Sequence, residues 1–524
     1  MVRNIVAWLE KRTGVETAVK HFLYEDIPAS SGWKQVFGSV AMFCFLIQAV
    51  TGILLSLNYA PTPGDAHSSL RYILTELTCG RLLRGLHHWG ASMMIVVVVL
   101  HMLQAFLWGA YKKPREATWM MGVVLLLITL GFGLTGYLLP WDNRAYWGTV
   151  VTTQITAKAP IAGPYLLHLM GSDDGQIGVQ TFARFYSAHV LLLPPLTMIL
   201  MALHIYLVRR HGVAPEPNET APKKKFYPGQ VFKDTVAVFV MFSILFALAV
   251  AVRVPLGKIA DPTDTTYIPR PEWYFLFLFQ ILKFFEGPME IVGSMVLPGV
   301  AVSLLMLTPF IDRGAAVKIR QRTFAIGLVL IAGLGWAALT AAAVRSTPNR
   351  AAWETITPEE LAAIGSFRQA QCWKCHGTTP GDNKGGPNLA DIAVREDRDW
   401  LVAHFRQQGA NAGLRDLQWR QLANFMRNRL DDESVSSLQE APQPVVQGAQ
   451  LFMQRNCGIC HSINGTVARN GPPLNGVAKR RDRAWMEGHF LDPQKFSPGT
   501  AMPPYKFTSG EMGNILAYME TLRH

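Results

Sequence analysis

The chain has 524 residues, half of them apolar, with 49 Lys and Arg against 37 Asp and Glu and a mean hydropathy of +0.17. That balance agrees with a membrane protein carrying a soluble appendage, and the length leaves room for a large membrane core with one or two small domains. The net charge of +12 does not mark a nucleic-acid binder, because the basic residues sit in short loops between apolar runs rather than on an aromatic-studded face.

Residues 1–33 are charged and amphipathic, with no apolar core or small-residue cleavage site. This segment is expected to lie along the membrane interface rather than to act as a signal peptide. Seven apolar runs follow, near 33–58, 87–110, 118–139, 184–208, 233–254, 290–311 and 324–344, each long enough to cross a hydrocarbon core of ~30 Å. Basic loops occur at alternate connections: Arg3 to Lys20, Lys112 to Arg115, Arg209 to Lys233 and Arg313 to Arg322. The positive-inside rule places these loops and the N-terminus in the cytoplasm of a bacterial cell, and an odd number of spans puts everything after residue 345 outside.

Inside the second and fourth runs stand four histidines in two pairs, His87 with His101 and His189 with His204. An ionisable ring at bilayer depth is costly and tends to be functional. On a helix the fourteen-residue gap spans ~21 Å with both rings within ~40° of one face, and the fifteen-residue gap spans ~22 Å with ~60° between them. Two bis-histidine haems stacked across the bilayer fit this spacing, His87 with His189 on the outer level and His101 with His204 on the inner one. The bland alternative for any one of them is a hydrogen-bonded core or pore histidine. Gly38 and Gly52 on the first run, and Gly122 and Gly136 on the third, repeat the fourteen-residue interval, as if a flat macrocycle approached the backbone. Arg84 on the outer side, and Lys112, Lys113 and Arg209 on the inner, are candidates to neutralise haem propionates, although topology explains the inner ones equally well.

Beyond residue 345 two C-x-x-C-H motifs appear, Cys372, Cys375 and His376, then Cys457, Cys460 and His461. Paired thiols with an adjacent histidine are the attachment site of a covalent haem c. The tail is an internal repeat: Phe367 to His376 parallels Phe452 to His461, Gly386 to Leu389 parallels Gly471 to Leu474, and Trp400-x-x-x-His404-Phe405 parallels Trp485-x-x-x-His489-Phe490. Each copy closes on a helix, near Leu430 and Leu522, and the polar stretch from Asp431 to Pro444 joins them. Met502 in the second copy is well placed as a sixth ligand. The first copy has no methionine between Gly409 and Leu417, which leaves its haem five-coordinate or bound by His404 or Met426. The twin His489 speaks for a structural role of both copies' histidines. Cys44 and Cys79 read as a small buried residue and an unpaired thiol.

The expected fold is therefore all-α: a seven-span bundle binding two haems b, followed by two small class-I-like helical cytochrome c domains. Its parts are 1–220 (four haem-binding helices), 221–348 (three further helices), 349–440 and 441–524.

Residues 1 to about 345 resemble cytochrome b of the Rieske/cytochrome b quinol-oxidising complexes. The matching runs are Gly85-Leu-His87-His88-Trp89, Lys113-Pro-Arg115-Glu-x-x-Trp119, Gly136-Tyr-Leu-Leu-Pro140-Trp141, Arg184-Phe-Tyr186-x-x-His189 and Pro271-Glu272-Trp273-Tyr274. The fifteen-residue gap and seven spans resemble the branch that includes the photosynthetic complex, in which the b chain is split; here both parts are joined through Pro215 to Pro228. That branch carries an extra covalent haem on a first-helix cysteine, and the aligned residue here is Val36, with Cys44 two turns away, which argues against such a haem.

The resemblance implies quinol oxidation on the outer side, with Glu272 as proton acceptor and Tyr146 on the wall formed by Trp141 to Gly148. A carboxylate beside an apolar surface has its pKa raised toward that of a useful base. Lys233 and Asp234 resemble the pair that protonates quinone at the inner site, although snorkelling residues at a membrane entrance would look the same. The resemblance also implies a Q cycle that translocates protons, a separate Rieske iron-sulfur protein, a quinone pool, a homodimer and a downstream cytochrome c or oxidase. The fused haems c would take the electron from the Rieske protein. Two rival classes remain: a dihaem membrane-anchor cytochrome b that is only an electron conduit for a dehydrogenase, and a transporter with proton-relay histidines. The first needs no Pro-Glu-Trp-Tyr motif, and the second needs no haem bands.

Overall fold

The computed structural model describes residues 2–172, 177–215, 222–257, 259–260, 262, 267, 269–314, 317–346, 353, 356–379, 382, 384–389, 397–428, 437–463 and 471–522. The chain divides into two compact units, one of residues 1–139, 150–254 and 271–346, the other of residues 140–149, 255–270 and 347–524.

The first unit opens with two amphipathic helices, α1 (Val2–Thr13) and α2 (Val15–Leu23). Among the described residues, seven helices are long and apolar enough to cross a membrane: α3 (Phe37–Ser56), α4 (Gly80–Leu107), α5 (Glu116–Tyr137), α6 (Val179–His211), α7 (Gly229–Ala251), α8 (Gly287–Ile311) and α9 (Thr323–Arg345). The number matches the expectation, but α4 and α6 begin several residues before their apolar runs. Hydropathy marks only the lipid-level part of a helix, and backbone hydrogen bonding carries the helix on through polar turns such as the one holding Arg81 and Arg84. Large apolar side chains along these helices, among them Phe239 (68% exposed) and Leu334 (71%), cover the unit's surface; such a surface is stable only against lipid.

Helix α4 packs along α3 and α7, while α5 packs against α6 and α8. The residues before α3 and those before α7 meet in the one strand pair among the described residues, Asp26–Pro28 antiparallel to Lys223–Lys225. The joining stretch thus turns back onto the start of the chain, and a Lys225–Asp26 ion pair of 2.8 Å lies at one end of the ladder.

A buried polar cluster ties the early helices to the late ones. Asp312, just past α8, accepts from Lys112 at 2.7 Å, from Arg322 at 3.1 Å and from Tyr111. Arg322 also donates to the carbonyls of Phe106 and Leu107 at 2.9 and 3.2 Å, and its guanidinium lies over the rings of Phe106 and Tyr111. Burial pushes the Asp312 carboxyl up, but hydrogen bonds from Lys112, Tyr111 and Arg322 outweigh it and hold the group below the usual carboxylate range.

The repeat lies in the second unit. Its first copy contains α10 (Pro358–Gln369), α11 (Arg398–Gln408) and α12 (Asp416–Asn428); its second contains α13 (Gln443–Gln454), α14 (Arg483–Leu491) and α15 (Ser509–Thr521). The copies share their local devices. Thr357 with Glu360, and Thr508 with Glu511, form capping boxes at the starts of α10 and α15, and Asp397 and Asp482 cap α11 and α14 at 2.7 Å. The two copies form one body, because α10 packs on α13 and Phe367, Phe425, Phe452 and Tyr518 belong to a single continuous core. Residues 431–436 of the expected joining stretch, and Leu430, lie outside the described residues.

Candidate haem and quinol sites

The four membrane histidines meet across the bundle in the expected pairs. The ring centroids of His87 and His189 are 6.3 Å apart with planes at 71°, and those of His101 and His204 are 6.5 Å apart at 77°. Two nitrogens each bonded to a metal at roughly 2 Å would hold ring centres a little over 6 Å apart, so both pairs suit axial ligation of one iron each.

The fifteen-residue gap on α6 does not skew its pair. Residues Ala188–Leu192 form a π turn, which takes up one extra residue and brings a fifteen-residue spacing back to the phase of fourteen. The ~60° offset expected from a regular helix thereby becomes the ~40° of the fourteen-residue gap on α4, and His189 sits inside the wide turn itself.

Each of the four glycines faces one of the four histidines. A Cβ on Gly52 would lie 3.1 Å from the His87 ring and one on Gly136 only 2.6 Å from that of His189; Gly38 and Gly122 stand 3.4 and 3.5 Å from His101 and His204. The glycines make room for the imidazoles.

Two threonines unremarked in the sequence complete the first level. Thr51 Oγ1 lies 2.9 Å from His87 Nδ1, and Thr135 Oγ1 the same distance from His189 Nδ1. Both hydroxyls donate to the carbonyl four residues earlier, Ile47 at 2.6 Å and Gly131 at 2.8 Å. Their protons being so engaged, the oxygens accept from Nδ1–H, and Nε2 is left bare for iron. The repeated dipeptide Thr51-Gly52 and Thr135-Gly136 was the available signal.

The Pro-Glu-Trp-Tyr motif stands beside this level. Glu272, half-buried, directly precedes the 3-10 turn Trp273–Phe275, and the short helix Leu276–Leu282 that follows is too brief to span. Trp273 Nε1 donates to Ser92 Oγ on α4 at 3.3 Å. Buried Tyr274 rests where Gly133 on α5 lacks a side chain: a Cβ there would come within 2.9 Å of its hydroxyl. Tyr146 belongs to the other unit, half-buried in the helix Asn143–Ala157, between Trp141 and Trp147. Asp142 pins that turn, accepting from the Ala145 and Gly257 amides.

Asp234, near the start of α7, accepts from Ser39 at 3.0 Å and from Gln230 at 2.9 Å. Ser39 adjoins Gly38, which faces His101, so Asp234 stands at the level of the second pair. A Cβ on Gly32 would lie 3.4 Å from Lys233 Nζ.

The cations expected to meet propionates have protein partners. Arg84 is buried and donates to the Val254 carbonyl at 2.7 Å, Lys112 is held by Asp312, and Arg209 by Glu25. Cys44 is fully buried beside Val36 and Val40 in one apolar cluster, and Cys79 is an exposed free thiol.

In the tail the two C-x-x-C-H turns match atom for atom. Gln371 and Asn456, just before them, adopt φ of 54° and 57°. His376 Nδ1 lies 2.9 Å from the Pro387 carbonyl, and His461 Nδ1 the same distance from that of Pro472, which leaves each Nε2 available to iron. A Cβ on Gly386 would lie 3.1 Å from the His376 ring, and one on Gly471 2.8 Å from that of His461. Burial pushes the thiols of Cys372 and Cys457 up to about 11.

Three family models match the chain: Cytochrome b/b6/petB over residues 26–212, Cytochrome b(C-terminal)/b6/petD over 259–357, and Cytochrome c over 445–523, the second copy of the repeat. A cytochrome bc complex cytochrome b subunit of Chlorobaculum thiosulfatiphilum is 36% identical over 340 residues, 63% of this chain and 79% of that protein. The cytochrome b6 of Gloeobacter violaceus is 37% identical over 40% of this chain and 98% of its own length. A menaquinol:cytochrome c reductase cytochrome b subunit of Geobacillus thermodenitrificans is 37% identical over 41% and 99%. Among solved structures, a chain of a hyperthermophilic respiratory complex III aligns with a TM-score of 0.58 at 29% identity, covering 66% of this chain and 92% of that one.

Proposed function

The chain belongs to the cytochrome b family of bc-type quinol:cytochrome c reductase complexes, and on that premise we propose that it is the core of a Q-cycle enzyme with its electron-accepting cytochrome c fused on. It carries haems b and c and serves electron transport in a membrane. The observation that supports the finer reading is the seat of the Pro-Glu-Trp-Tyr motif, tied through Trp273 to α4 and through Tyr274 to α5, next to the pair His87 and His189.

When bound, the haems supply one-electron transfer, the b pair across the membrane and the c pair toward a soluble or membrane acceptor. His87 with His189 and His101 with His204 hold the first two; Cys372, Cys375 and His376, and Cys457, Cys460, His461 and Met502, hold the others. Quinol binds on the outer side against Trp273 and Tyr274, where Glu272 takes its proton and releases it outward; Tyr146 is the second residue assigned to quinol oxidation. One electron leaves to a Rieske iron-sulfur protein and the other crosses to the inner level. There Lys233 and Asp234 deliver cytoplasmic protons to quinone, Asp234 being oriented by Ser39 and Gln230. Charge so moved is coupled to the membrane potential at ~2.3 kcal/mol per charge per 100 mV.

In this reading the chain sits in the bacterial cytoplasmic membrane with its N-terminus inside and the repeat outside, works as a homodimer on the quinone pool, and passes electrons to a downstream cytochrome c or oxidase. The test is steady-state quinol oxidation by the purified complex. Glu272→Gln is expected to slow turnover on the order of 10²-fold with all haem bands retained; unchanged turnover removes Glu272 from this role. Asp234→Asn should leave the first turnover of quinol oxidation intact, slow re-oxidation of the inner b-type haem by quinone, and through that slow steady-state turnover.

A further inference from the structure

We infer that His404 is the sixth ligand of the haem held by Cys372, Cys375 and His376. The rings of His376 and His404 lie 6.2 Å apart, centre to centre, with planes at 75°. These values fall with those of the two membrane pairs, 6.3 Å at 71° and 6.5 Å at 77°, the geometry of two imidazoles on opposite sides of one iron. His376 directs Nδ1 to the Pro387 carbonyl, so its Nε2 faces away from that anchor. The His404 ring is stacked on Trp400 at 5.1 Å and 6°, which fixes its plane.

The repeat supplies the second argument. In the second copy the stretch between α14 and α15 runs from Asp492 to Thr508 and carries Met502; in the first, between α11 and α12, it shrinks to Gly409 to Arg415. The segment that brings a methionine to the second haem is therefore missing from the first. His489 is stacked on Trp485 in the same manner, at 4.7 Å and 12°, so the stack is common to both copies; what distinguishes the first is that the histidine has no methionine loop to compete with it. Met426 is not the substitute. It has its own twin in Met519, the eleventh residue of the final helix in each copy, and both are 3% exposed within the shared core.

Two imidazoles favour ferric iron more than an imidazole and a thioether do, so the first haem c has the lower midpoint potential of the two. The inference rests on reading Cys372 to His376 as a haem attachment site, and that reading is checked separately by counting two c-type haems per chain in the denatured holoprotein. A count of one overturns both. With two present, near-infrared magnetic circular dichroism of the oxidised complex should show one bis-histidine and one histidine–methionine c-type haem. His404→Ala should let one c-type haem bind carbon monoxide when reduced, and His404→Met should raise the lower c-type potential. Absence of a bis-histidine c-type haem in the parent protein overturns the assignment, as does a His404→Ala protein whose c-type potentials and carbon monoxide reactivity are unchanged. The parent spectrum and His404→Met decide the matter even if the alanine variant fails to assemble.

Discussion

A Cβ placed on Gly136 would lie 2.6 Å from Cε1 of His189, closer than real Cβ atoms approach anything. Helix α5 therefore sets how near the His189 ring can stand to its own axis, and with it the position of the ring's free nitrogen.

Gly136→Val is expected to abolish the b-type haem of that level and leave the other, halving the b-type amplitude in a reduced-minus-oxidised spectrum. Gly122→Ala, whose Cβ would sit at an ordinary 3.5 Å from His204, should keep both. Full haem b content in Gly136→Val would show that the ring can be reseated without cost.

Thr51→Val and Thr135→Val remove the acceptors of the His87 and His189 Nδ1 protons. Loss of such a bond weakens the histidine as a donor to ferric iron. Each substitution should raise the potential of the b-type haem at this level by about 40 mV, the one-electron equivalent of about 1 kcal/mol. A redox titration reads it, and no shift in either variant would mean that the hydroxyls do not tune the ligands.

Gly133→Val fills the space under Tyr274 without touching a histidine. Displacing the motif by about 1 Å should cost on the order of 10²-fold in quinol oxidation while both b-type haems stay in place. Normal turnover would detach the motif from catalysis.

Arg322, its side chain only 2% exposed, is the centre of the clasp between the early and late helices. Arg322→Gln takes one of its three donors from Asp312 and removes the side-chain bonds to the Phe106 and Leu107 carbonyls, and about 3 kcal/mol of stability should be lost, seen as a lower thermal midpoint in detergent. Asp312 also sets a pH dependence. Its folded pKa is depressed, so its contribution is present above the unfolded carboxylate value and disappears as pH falls through the folded one. Stability of the parent should drop as the medium is acidified below about pH 4, and Asp312→Asn should flatten that part of the profile.

Much of the site was legible because helices turn spacing into geometry. The histidine pairs, the seven spans and the C-x-x-C-H turns are local patterns, and each appears in the structure where periodicity and hydropathy put it. The partners were not legible in the same way. Thr135 and His189 are 54 residues apart, Ser92 and Trp273 are 181 apart, and nothing in either neighbourhood announces the other. Arg84, Lys112 and Arg209 likewise have partners far along the chain, Val254, Asp312 and Glu25, that no local pattern marks.

By itself, then, the sequence pointed to the histidine pairs and C-x-x-C-H turns, to the helices long and apolar enough to cross a membrane, and to the repeat in the tail, because these follow from residue chemistry and helical period. Only the tertiary structure decided that a π turn brings a fifteen-residue gap into phase, which glycine and threonine serve which histidine, and that His404 rather than Met426 faces His376. Those outcomes depend on contacts between distant segments, which close packing selects and no local pattern encodes.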